Sequence, residues 1–371
     1  MTKGRSRREI ISTLGTFAVG ALAFRPASLA IGRAPVSGEQ SLRNLAASRG
    51  LLYGAATQRS ILTDDPQFAA AFAQQCGVLI PENELKWDFL RPTPQSYDFA
   101  SADWLCKFTQ QHQMNFRGHT LVWNKGLPFW FDSYANPENA RQLMLSHIGA
   151  VVGRYAGRTQ SWDVLNEAIE PADKHPDGLR SSPWLDLLGP DYIDLAFHAA
   201  AEADPKALLV WNEIHMEFDW ARANRQAWIQ NLQKRIKRGI PIHAIGLQSH
   251  IWANVPSYGD DFLIFLQKVE DMGLKILITE MDVTDSDIPG DVTSRDKVVA
   301  GIYYDYLSAV LSHRSVVAVL TWGLSDRYTY LTKYKPRSDG GPVRPLPLNS
   351  NLNLKPAWYS IARAFSEAPA R

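Results

Sequence analysis

The sequence predicts an α/β fold, a single (β/α)8 TIM barrel, and three observations favour it. Eight short apolar runs follow one another along the chain, and longer amphipathic stretches separate them. No tight-turn signal joins one apolar run directly to the next, so the strands are expected to be parallel. Eight strand–helix units over about 330 residues fit a closed barrel.

The predicted strands are short and rich in Leu, β-branched or aromatic residues, which favour extended backbone. They are residues 51–54, 78–80, 115–123, 159–165, 207–211, 244–247, 275–279 and 316–321. Predicted helices between them include residues 101–111, 139–155, 192–203, 221–238, 260–272 and 294–312. An open, doubly wound sheet is the alternative. The sequence Gly54-Ala55-Ala56-Thr57 after the first strand lacks the glycine-rich phosphate loop of such sheets.

Residues 1–30 have the composition of an export signal. A basic start contains the pair Arg7-Arg8, an apolar stretch covers 10–24, and small residues follow at 26–30. The paired arginines resemble the twin-arginine type of signal. The apolar stretch is shorter than the roughly 20 residues needed to span a bilayer, so we expect cleavage and no membrane attachment afterwards. The expected organisation is a signal (1–30), an N-terminal lead-in (31–44) and one catalytic barrel domain (45–371).

The composition is that of an ordinary globular protein, with 371 residues, 45% hydrophobic and 21% charged. A net charge of +1 offers no basic footprint for nucleic acid. Twelve Trp and thirteen Tyr residues suit the faces of sugar rings, although core packing accounts for many of them. Cys76 and Cys106 are too few for a disulfide scaffold, but one bridge stays open. We expect an exported monomer, periplasmic or secreted, from a bacterium.

Polar and aromatic residues follow six of the predicted strands, where each strand ends. The segments are 81–87, 118–123, 162–167, 246–250, 278–282 and 320–323. Because the carboxyl ends of barrel strands converge on one face, these residues become neighbours. One glutamate at a strand end is most often structural, whereas six polar endings on one rim predict a functional site.

Glu167 and Glu280 are the two carboxylates on this rim that we expect to act together as a catalytic pair. Two carboxyl groups among aromatic side chains are typical of glycoside hydrolysis, where one is acid and base and the other is nucleophile or base. The ionised group needs hydrogen-bond donors, which Gln248 and His250 offer to Glu280. Glu167 must hold a proton, which partial burial and the negative charge of Glu280 favour.

Six ordered motifs resemble those of glycoside hydrolase family 10, the endo-β-1,4-xylanases. They read PENELKW at 81–87, RGHTLVW at 117–123, WDVLNEA at 162–168, IGLQSH at 245–250, ITEMDV at 278–283 and WGLSD at 322–326. The resemblance covers nearly all of the chain after the signal. It implies retaining, endo-acting hydrolysis of xylan, with Glu167 as acid/base and Glu280 as nucleophile, their carboxyl groups about 5 to 5.5 Å apart.

The resemblance also implies the remaining site residues and the partners. Glu82, Asn83 and Lys86 match glycone-side hydroxyl binders. Side chains around the cleaved sugar match His119, Trp123, Asn166, Gln248, His250, Trp322 and Tyr330. Asn166 would bind the 2-hydroxyl and Asp282 would orient His250. Xylan and xylo-oligosaccharides are the implied ligands, with neither a cofactor nor a metal.

Three departures from the family pattern bear on specificity. Asn124-Lys125-Gly126 stands where His, a variable residue and Gln are common. Tyr330 replaces a second Trp, and Asn-Glu-Ile-His at 212–215 replaces Asn-Asp-Tyr-Asn. Xylose lacks the C5 hydroxymethyl group of glucose, and bulky walls beside that carbon exclude glucosides. The smaller Gly126 and Tyr330 therefore suggest relaxed discrimination between xylose and glucose.

Three other functions are also compatible with the sequence. A non-catalytic polysaccharide-binding protein would keep the aromatic residues but would not need both glutamates. A metal-dependent barrel hydrolase would draw on His119, His215 and His250, which lack the usual ligand spacings. Another retaining barrel enzyme, acting on β-1,4-glucan or mannan, is the alternative within carbohydrate chemistry.

Overall fold

The computed structural model describes residues 41–371, and eight parallel strands close into a barrel. The predicted signal (1–30) and most of the lead-in lie outside the described residues. The strands are β1 (Leu52–Thr57), β2 (Val78–Pro81), β3 (Asn115–Gly118), β4 (Val122–Trp123), β5 (Thr159–Asn166), β6 (Leu208–Glu213), β7 (Ala244–Leu247), β8 (His250–Trp252), β9 (Lys275–Thr284) and β10 (Val316–Thr321). The ring order is β10-β1-β2-β3-β5-β6-β7-β9, and β9 pairs with β10. The predicted barrel is confirmed.

Two strands extend beyond the ring at its carboxyl end. The run predicted as one strand at 115–123 is broken into β3 and β4, because the hydroxyl of Thr120 and the N–H of Leu121 both donate to the carbonyl of Asp163. Strand β8 follows β7 and pairs with the outer half of β9, with His250 opposite Asp282. Strand β9 is thus longer than its predicted span of 275–279, and it carries Glu280 and Asp282 at the barrel mouth.

Helices surround the barrel and connect its strands. They are α1 (Leu42–Ala47), α2 (Arg59–Asp64), α3 (Pro66–Gln75), α4 (Trp87–Leu90), α5 (Ala100–Gln111), α6 (Phe131–Tyr134), α7 (Ala140–Arg154), α8 (Pro183–Leu188), α9 (Tyr192–Ala203), α10 (Arg222–Lys237), α11 (Asp260–Asp271), α12 (Val292–Val310), α13 (Leu331–Tyr334) and α14 (Pro356–Glu367). The six predicted helices are confirmed, each with ends within two residues of the prediction. Between residues 41 and 371, no helix is both long and apolar enough to cross a bilayer.

The ends of α3 show how local sequence fixes a helix. Asp65 precedes it and accepts a hydrogen bond from the N–H of Phe68, which would otherwise lack a partner in the first turn. Pro66 occupies the first helical position, where its missing N–H costs nothing. Phe68 and Phe72 are buried on the inner face, so the amphipathic pattern decides which side meets the barrel.

The barrel interior below the rim is packed with apolar side chains. Val210, Ala244, Leu277 and Ala318, from four strands, form one buried cluster. Such packing is typical of barrels of this kind, which are solid cores with their polar residues at one end. Elsewhere in the core, Cys76 and Cys106 are buried and free, so the bridge that the sequence left open is not formed.

Helix α1 is part of the same packed unit. Its Leu42 is fully buried, and the Leu42 N–H donates to the side-chain oxygen of Gln75 at the end of α3. The same oxygen accepts from the indole of Trp358 in α14. Gln75 therefore joins three helices beneath the barrel. The boundary expected between residues 44 and 45 falls within α1.

Candidate active site

Glu167 and Glu280 both lie at the carboxyl end of the barrel, one directly after β5 and the other within β9. Only 6% and 5% of their respective surfaces are exposed. A chain of side-chain amides runs between them. Asn212 donates to Glu280 Oε1 and to Asn166 Oδ1, both at 2.8 Å. Gln248 donates to the same Asn166 oxygen at 3.2 Å and to Glu167 Oε1 at 3.1 Å. The expectation that Gln248 donates to Glu280 is therefore wrong, because its amide is directed to the other glutamate.

Glu280 is surrounded by hydrogen-bond donors. His250 Nε2 lies 3.2 Å from Glu280 Oε2, and His119 Nδ1 lies 3.9 Å from Glu280 Oε1. Burial by itself raises the pKa of Glu280, but the hydrogen bonds from His250 and Asn212 and the nearby imidazoles of His119 and His250 outweigh it. The pKa of Glu280 is therefore below its usual range, and the group is an ionised carboxylate near neutral pH.

His250 owes its charge to a second carboxylate. Its Nδ1 lies 2.9 Å from Oδ2 of Asp282, which the β8–β9 pairing places opposite it. Burial opposes the charged imidazolium, yet Asp282 and Glu280 together raise the pKa of His250 well above its ordinary value. Protonated His250 then donates to Asp282 from one nitrogen and to Glu280 from the other. The predicted orientation of His250 by Asp282 has the geometry it requires.

His119 is held by a buried pair that the sequence did not single out. Its Nδ1 lies 3.0 Å from Asp163 Oδ2, and Arg117 forms an ion pair with the other oxygen of Asp163. Both Arg117 and Asp163 are 1% exposed. The available signal was the spacing of Arg117, in β3, and His119, directly after β3, because residues two apart in extended chain share a face.

The backbone at Glu167 is fixed from several sides. Its φ is +55°, a left-handed conformation that costs free energy in a residue with a Cβ. The Glu167 N–H donates to the carbonyl of Asn212 at 2.9 Å, and its own carbonyl accepts from Arg180 Nε at 2.7 Å. Lys125 Nζ lies 3.6 Å from Glu167 Oε2, although the lysine side chain is 62% exposed. No sequence pattern indicates that this surface lysine lies against a buried glutamate.

Glu213 supports the turn that follows Glu167. Its Oε1 accepts from the N–H groups of Ala168 and Ile169, at 2.7 and 3.1 Å, and from the indole of Trp211 at 2.7 Å. Complete burial raises the pKa of Glu213 to about 8, and the charge of Glu167 adds to the shift. In the sequence, Glu213 stands out only as a departure from the family pattern, because an acidic residue at a strand end looks the same whether its side chain faces substrate or backbone.

We expect Glu213→Ala to lower the free energy of unfolding by about 2 to 4 kcal/mol, because three buried donors lose their acceptor. Glu213→Gln keeps an oxygen in the same place and should stay within about 1 kcal/mol of the parent chain. Urea unfolding at pH 6 measures both. Glu202→Ala, an exposed change on α9, controls for loss of a carboxylate. Equal stability of Glu213→Ala and the parent would show that the contacts contribute nothing.

The remaining predicted residues line one side of the mouth. Lys86 Nζ donates to Asn83 at 3.1 Å and lies 5.4 Å from the centre of the Trp123 ring and 6.0 Å from that of Trp322. Burial raises the pKa of the neighbouring Glu82, an effect that Lys86 opposes. These side chains come from the segment after β2 and from the ends of β4 and β10.

Tyr330 and Trp322 complete the wall around His250. The Tyr330 hydroxyl lies 3.4 Å from His250 Nδ1, and the two rings meet edge to face. Trp322 packs against His119 and His250 in the same manner. Together with Asn212, which the sequence did not nominate, all of the predicted side chains form one connected cluster. The roles that the resemblance implies for them stay predictions.

The three histidines of the metal-dependent alternative are occupied by other contacts. His119 and His250 are each held by a carboxylate, and His215 lies among aromatic rings. Within residues 41–371, no group of three or more His, Cys, Asp or Glu side chains is arranged to hold a metal ion. The two carboxylates lie in different surroundings at one mouth, an arrangement that can support acid/base and nucleophilic chemistry.

Comparison with known proteins agrees with this geometry. The sequence model of glycosyl hydrolase family 10 matches residues 41–364. Endo-1,4-beta-xylanase 3 of Hypocrea jecorina is 34% identical over 325 residues, which is 87% of this chain and 85% of the relative. Xylanase 10B of Thermotoga maritima superimposes with a TM-score of 0.81 at 30% identity, covering 88% of this chain and 98% of that one. Xylanase 10B of Thermotoga petrophila, solved with xylobiose, gives a TM-score of 0.80 at 30% identity, with coverages of 88% and 98%. From the barrel, the site and these similarities together, we conclude that the chain is an enzyme of glycosyl hydrolase family 10.

Proposed function

We propose that this enzyme hydrolyses β-1,4-xylosidic bonds inside xylan chains and retains the configuration at the anomeric carbon. Relatives named as endo-1,4-beta-xylanases, and a similar structure solved with xylobiose, support the substrate. The observation that carries the mechanism is Glu280, held as a carboxylate by His250 and Asn212 at the mouth that also holds Glu167.

The first step forms a covalent intermediate. A carboxylate oxygen of Glu280 attacks the anomeric carbon while Glu167 gives its proton to the glycosidic oxygen, and the bond between that carbon and oxygen breaks. The leaving sugar departs with a free hydroxyl group. Glu167 becomes a carboxylate, whose charge Gln248 and Lys125 stabilise from 3.1 and 3.6 Å.

The second step releases the sugar from Glu280. Glu167 takes a proton from a water molecule, whose oxygen attacks the anomeric carbon from the side that the first leaving group vacated. The bond to Glu280 breaks and its carboxylate is restored, while Glu167 regains a proton. Two inversions at one carbon give net retention.

Product analysis tests this proposal. Arabinoxylan and cellulose are digested side by side, and the products are followed by mass spectrometry and proton NMR. We expect internal fragments of xylan, with the β-anomer appearing before mutarotation. Early α-anomer would contradict retention, and faster cleavage of cellulose would favour a β-1,4-glucan enzyme instead.

Activity should depend on pH through the contact between His250 and Glu280. Glu280 must be ionised to attack, so kcat/KM is expected to fall as pH drops through its lowered pKa. His250→Ala removes a hydrogen bond and a positive charge that favour the carboxylate, and the acidic limb should move to higher pH. The exposed His198→Ala on α9 is the control. An unchanged acidic limb in His250→Ala would refute this role.

We also propose that glucose-configured substrates are rejected less strongly than in relatives with Gln and Trp in place of Gly126 and Tyr330. Gly126 has a φ of +62°, which side-chain-bearing residues rarely adopt, and it lies so close to Trp123 that a Cβ would come within 3.3 Å of the ring. No side chain extends toward the substrate from this position. Tyr330→Trp is expected to steepen the preference for aryl xylobioside over aryl cellobioside by about tenfold in kcat/KM. An unchanged preference would discard the idea.

Two further proposals rest on sequence alone. We propose that residues 1–30 direct export and are removed, which N-terminal sequencing of the protein recovered from the periplasm or medium tests. We propose that the mature enzyme acts as a monomer, which sedimentation at working concentration tests.

A further inference from the structure

An exposed lysine stands beside the buried acid/base, at the variable position of the stretch that departs from the family pattern. Lys125 Nζ lies 3.6 Å from Glu167 Oε2 and 5.6 Å from the centre of the Trp123 ring. The lysine side chain is 62% exposed, whereas that of Glu167 is 8% exposed. Within residues 41–371, Glu167 is the one carboxylate within ion-pair distance of Lys125. The lysine therefore brings a solvated positive charge to a group that must act in two protonation states.

Strand pairing places Lys125 at this point of the rim. Strand β4 pairs with β5 so that Trp123 lies opposite Asn166, two residues before the lysine and one before the glutamate. The Trp123 carbonyl accepts from an indole N–H of α8 at 3.1 Å. The Gly126 carbonyl accepts from the N–H of Asp88 at 2.9 Å. The backbone is thus fixed on both sides of Lys125.

Several other titratable groups around Glu167 are paired or neutral near pH 6. Arg180 Nη2 lies 3.5 Å from Glu170 Oε2, so this cation has an acidic partner of its own. Burial raises the pKa of Glu213 to about 8, which keeps that carboxyl group protonated. Burial lowers the pKa of His215 to about 4, so its imidazole is uncharged.

Two charges with opposite effects on the Glu167 proton then face each other across the site. Glu280 is negative and favours the protonated acid, whereas Lys125 is positive and favours the carboxylate. His250 lies beyond Glu280, and its charge is shared between Glu280 and Asp282. The protonation of Glu167 therefore depends on the balance between Glu280 and Lys125.

That balance changes during the reaction. In the first step Glu280 is a carboxylate, and its charge helps Glu167 to keep the proton that the leaving sugar needs. In the covalent intermediate Glu280 is an ester of the sugar and carries no charge. Lys125 then acts on Glu167 without opposition, at the stage where Glu167 must be a carboxylate to take a proton from water.

We infer that Lys125 adjusts the protonation of Glu167 between the two steps and favours its role as base in the second. The lysine acts through Glu167 and does not touch the reacting atoms. This inference rests on the proposed retaining mechanism and adds the residue that regulates its acid/base.

The test measures the second step in Lys125→Met, which keeps the length of the side chain without its charge. A dinitrophenyl xylobioside needs no proton to lose its leaving group, so the steady rate after the burst reports the second step. We expect the acidic limb of that rate to move up by about 0.5 to 1 pH unit, a loss of about 3- to 10-fold on the slope. The burst itself should keep its rate constant.

Xylohexaose reports the first step, because its leaving sugar needs a proton. In Lys125→Met the basic limb of kcat/KM should also move to higher pH, since the acid keeps its proton longer. Below that limb, kcat/KM should stay within about 2-fold of the parent value. A role of Lys125 in folding alone would lower both steps and move neither limb.

Two matched variants and salt isolate the effect of charge. Lys125→Arg keeps the positive charge and should keep both limbs near their parental positions. Lys107→Met, an exposed change on α5, should also leave them unchanged. Because Lys125 is exposed, raising the ionic strength from about 0.05 M to about 0.5 M screens its charge. Salt should therefore shift the limbs of the parent more than those of Lys125→Met.

Unshifted limbs in Lys125→Met, or equal losses in both steps at every pH, would overturn the role of Lys125 and leave the xylanase proposal intact. A parent enzyme that is inactive on xylohexaose, or that releases the α-anomer first, would instead refute the proposed function.

Discussion

Replacing Glu280 with alanine is expected to lower kcat/KM on xylan by about 10⁵-fold, the largest effect of any single change considered. No other side chain can form the covalent bond to the anomeric carbon, so the first step has no route. Initial rates of reducing-sugar release measure the loss. The variant should fold normally, because an alanine leaves Asn212 and His250 with other partners in the site.

Azide distinguishes a missing nucleophile from a damaged site. In Glu280→Ala, azide can enter the space of the carboxylate and attack the same carbon from the same side, while Glu167 protonates the leaving group. The expected product from an activated aryl β-xylobioside is the α-xylobiosyl azide. Glu202→Ala on α9 should behave as the parent. Near-parental activity of Glu280→Ala on xylan would remove Glu280 from the mechanism.

Replacing Glu167 with alanine should produce a loss that depends on the leaving group. Xylan needs a proton on its departing oxygen, and we expect about a 10³-fold fall in kcat/KM. A dinitrophenyl xylobioside needs none, so its first step should stay fast while the second step, which lacks a base, becomes slow. A burst of dinitrophenol followed by a slow steady rate is the expected record.

Glu167→Gln is the matched variant, because it keeps the shape of the side chain and its contact with Gln248 but cannot transfer a proton. It should show the same dependence on the leaving group. Azide added to Glu167→Ala should give the β-azide, since it attacks the intermediate on the open face. Equal losses on both substrates would show that Glu167 is not the acid/base.

The barrel was predictable because its evidence is local. Each strand is a short run of β-branched and aromatic residues, and α9 ends where its amphipathic pattern ends. The break between β3 and β4 was not predictable, because it depends on the Asp163 carbonyl, which lies about 40 residues further along the chain. The extension of β9 past residue 279 depends on its pairing with β8, which is equally non-local.

The difference between local and non-local evidence also applies to the active site. The sequence showed that Glu167, Glu280 and His250 end barrel strands, and barrel geometry brought them together. It did not show that Asn212 connects the two halves or that Glu213 turns away from the mouth to hold backbone N–H groups. Residue type at a strand end indicates chemistry, but the direction of the side chain is set by packing that no linear pattern records.

Covalent capture of the sugar by Glu280 can be tested by trapping the intermediate. In a 2-deoxy-2-fluoro xylobioside, the fluorine slows both the formation and the hydrolysis of the covalent intermediate. A good leaving group lets the first step proceed all the same, so the intermediate accumulates. The intact enzyme is expected to gain the mass of one fluorinated xylobiosyl group, and peptide mapping is expected to place that group on Glu280. No adduct under conditions of inactivation, or an adduct on another residue, would show that Glu280 is not the nucleophile.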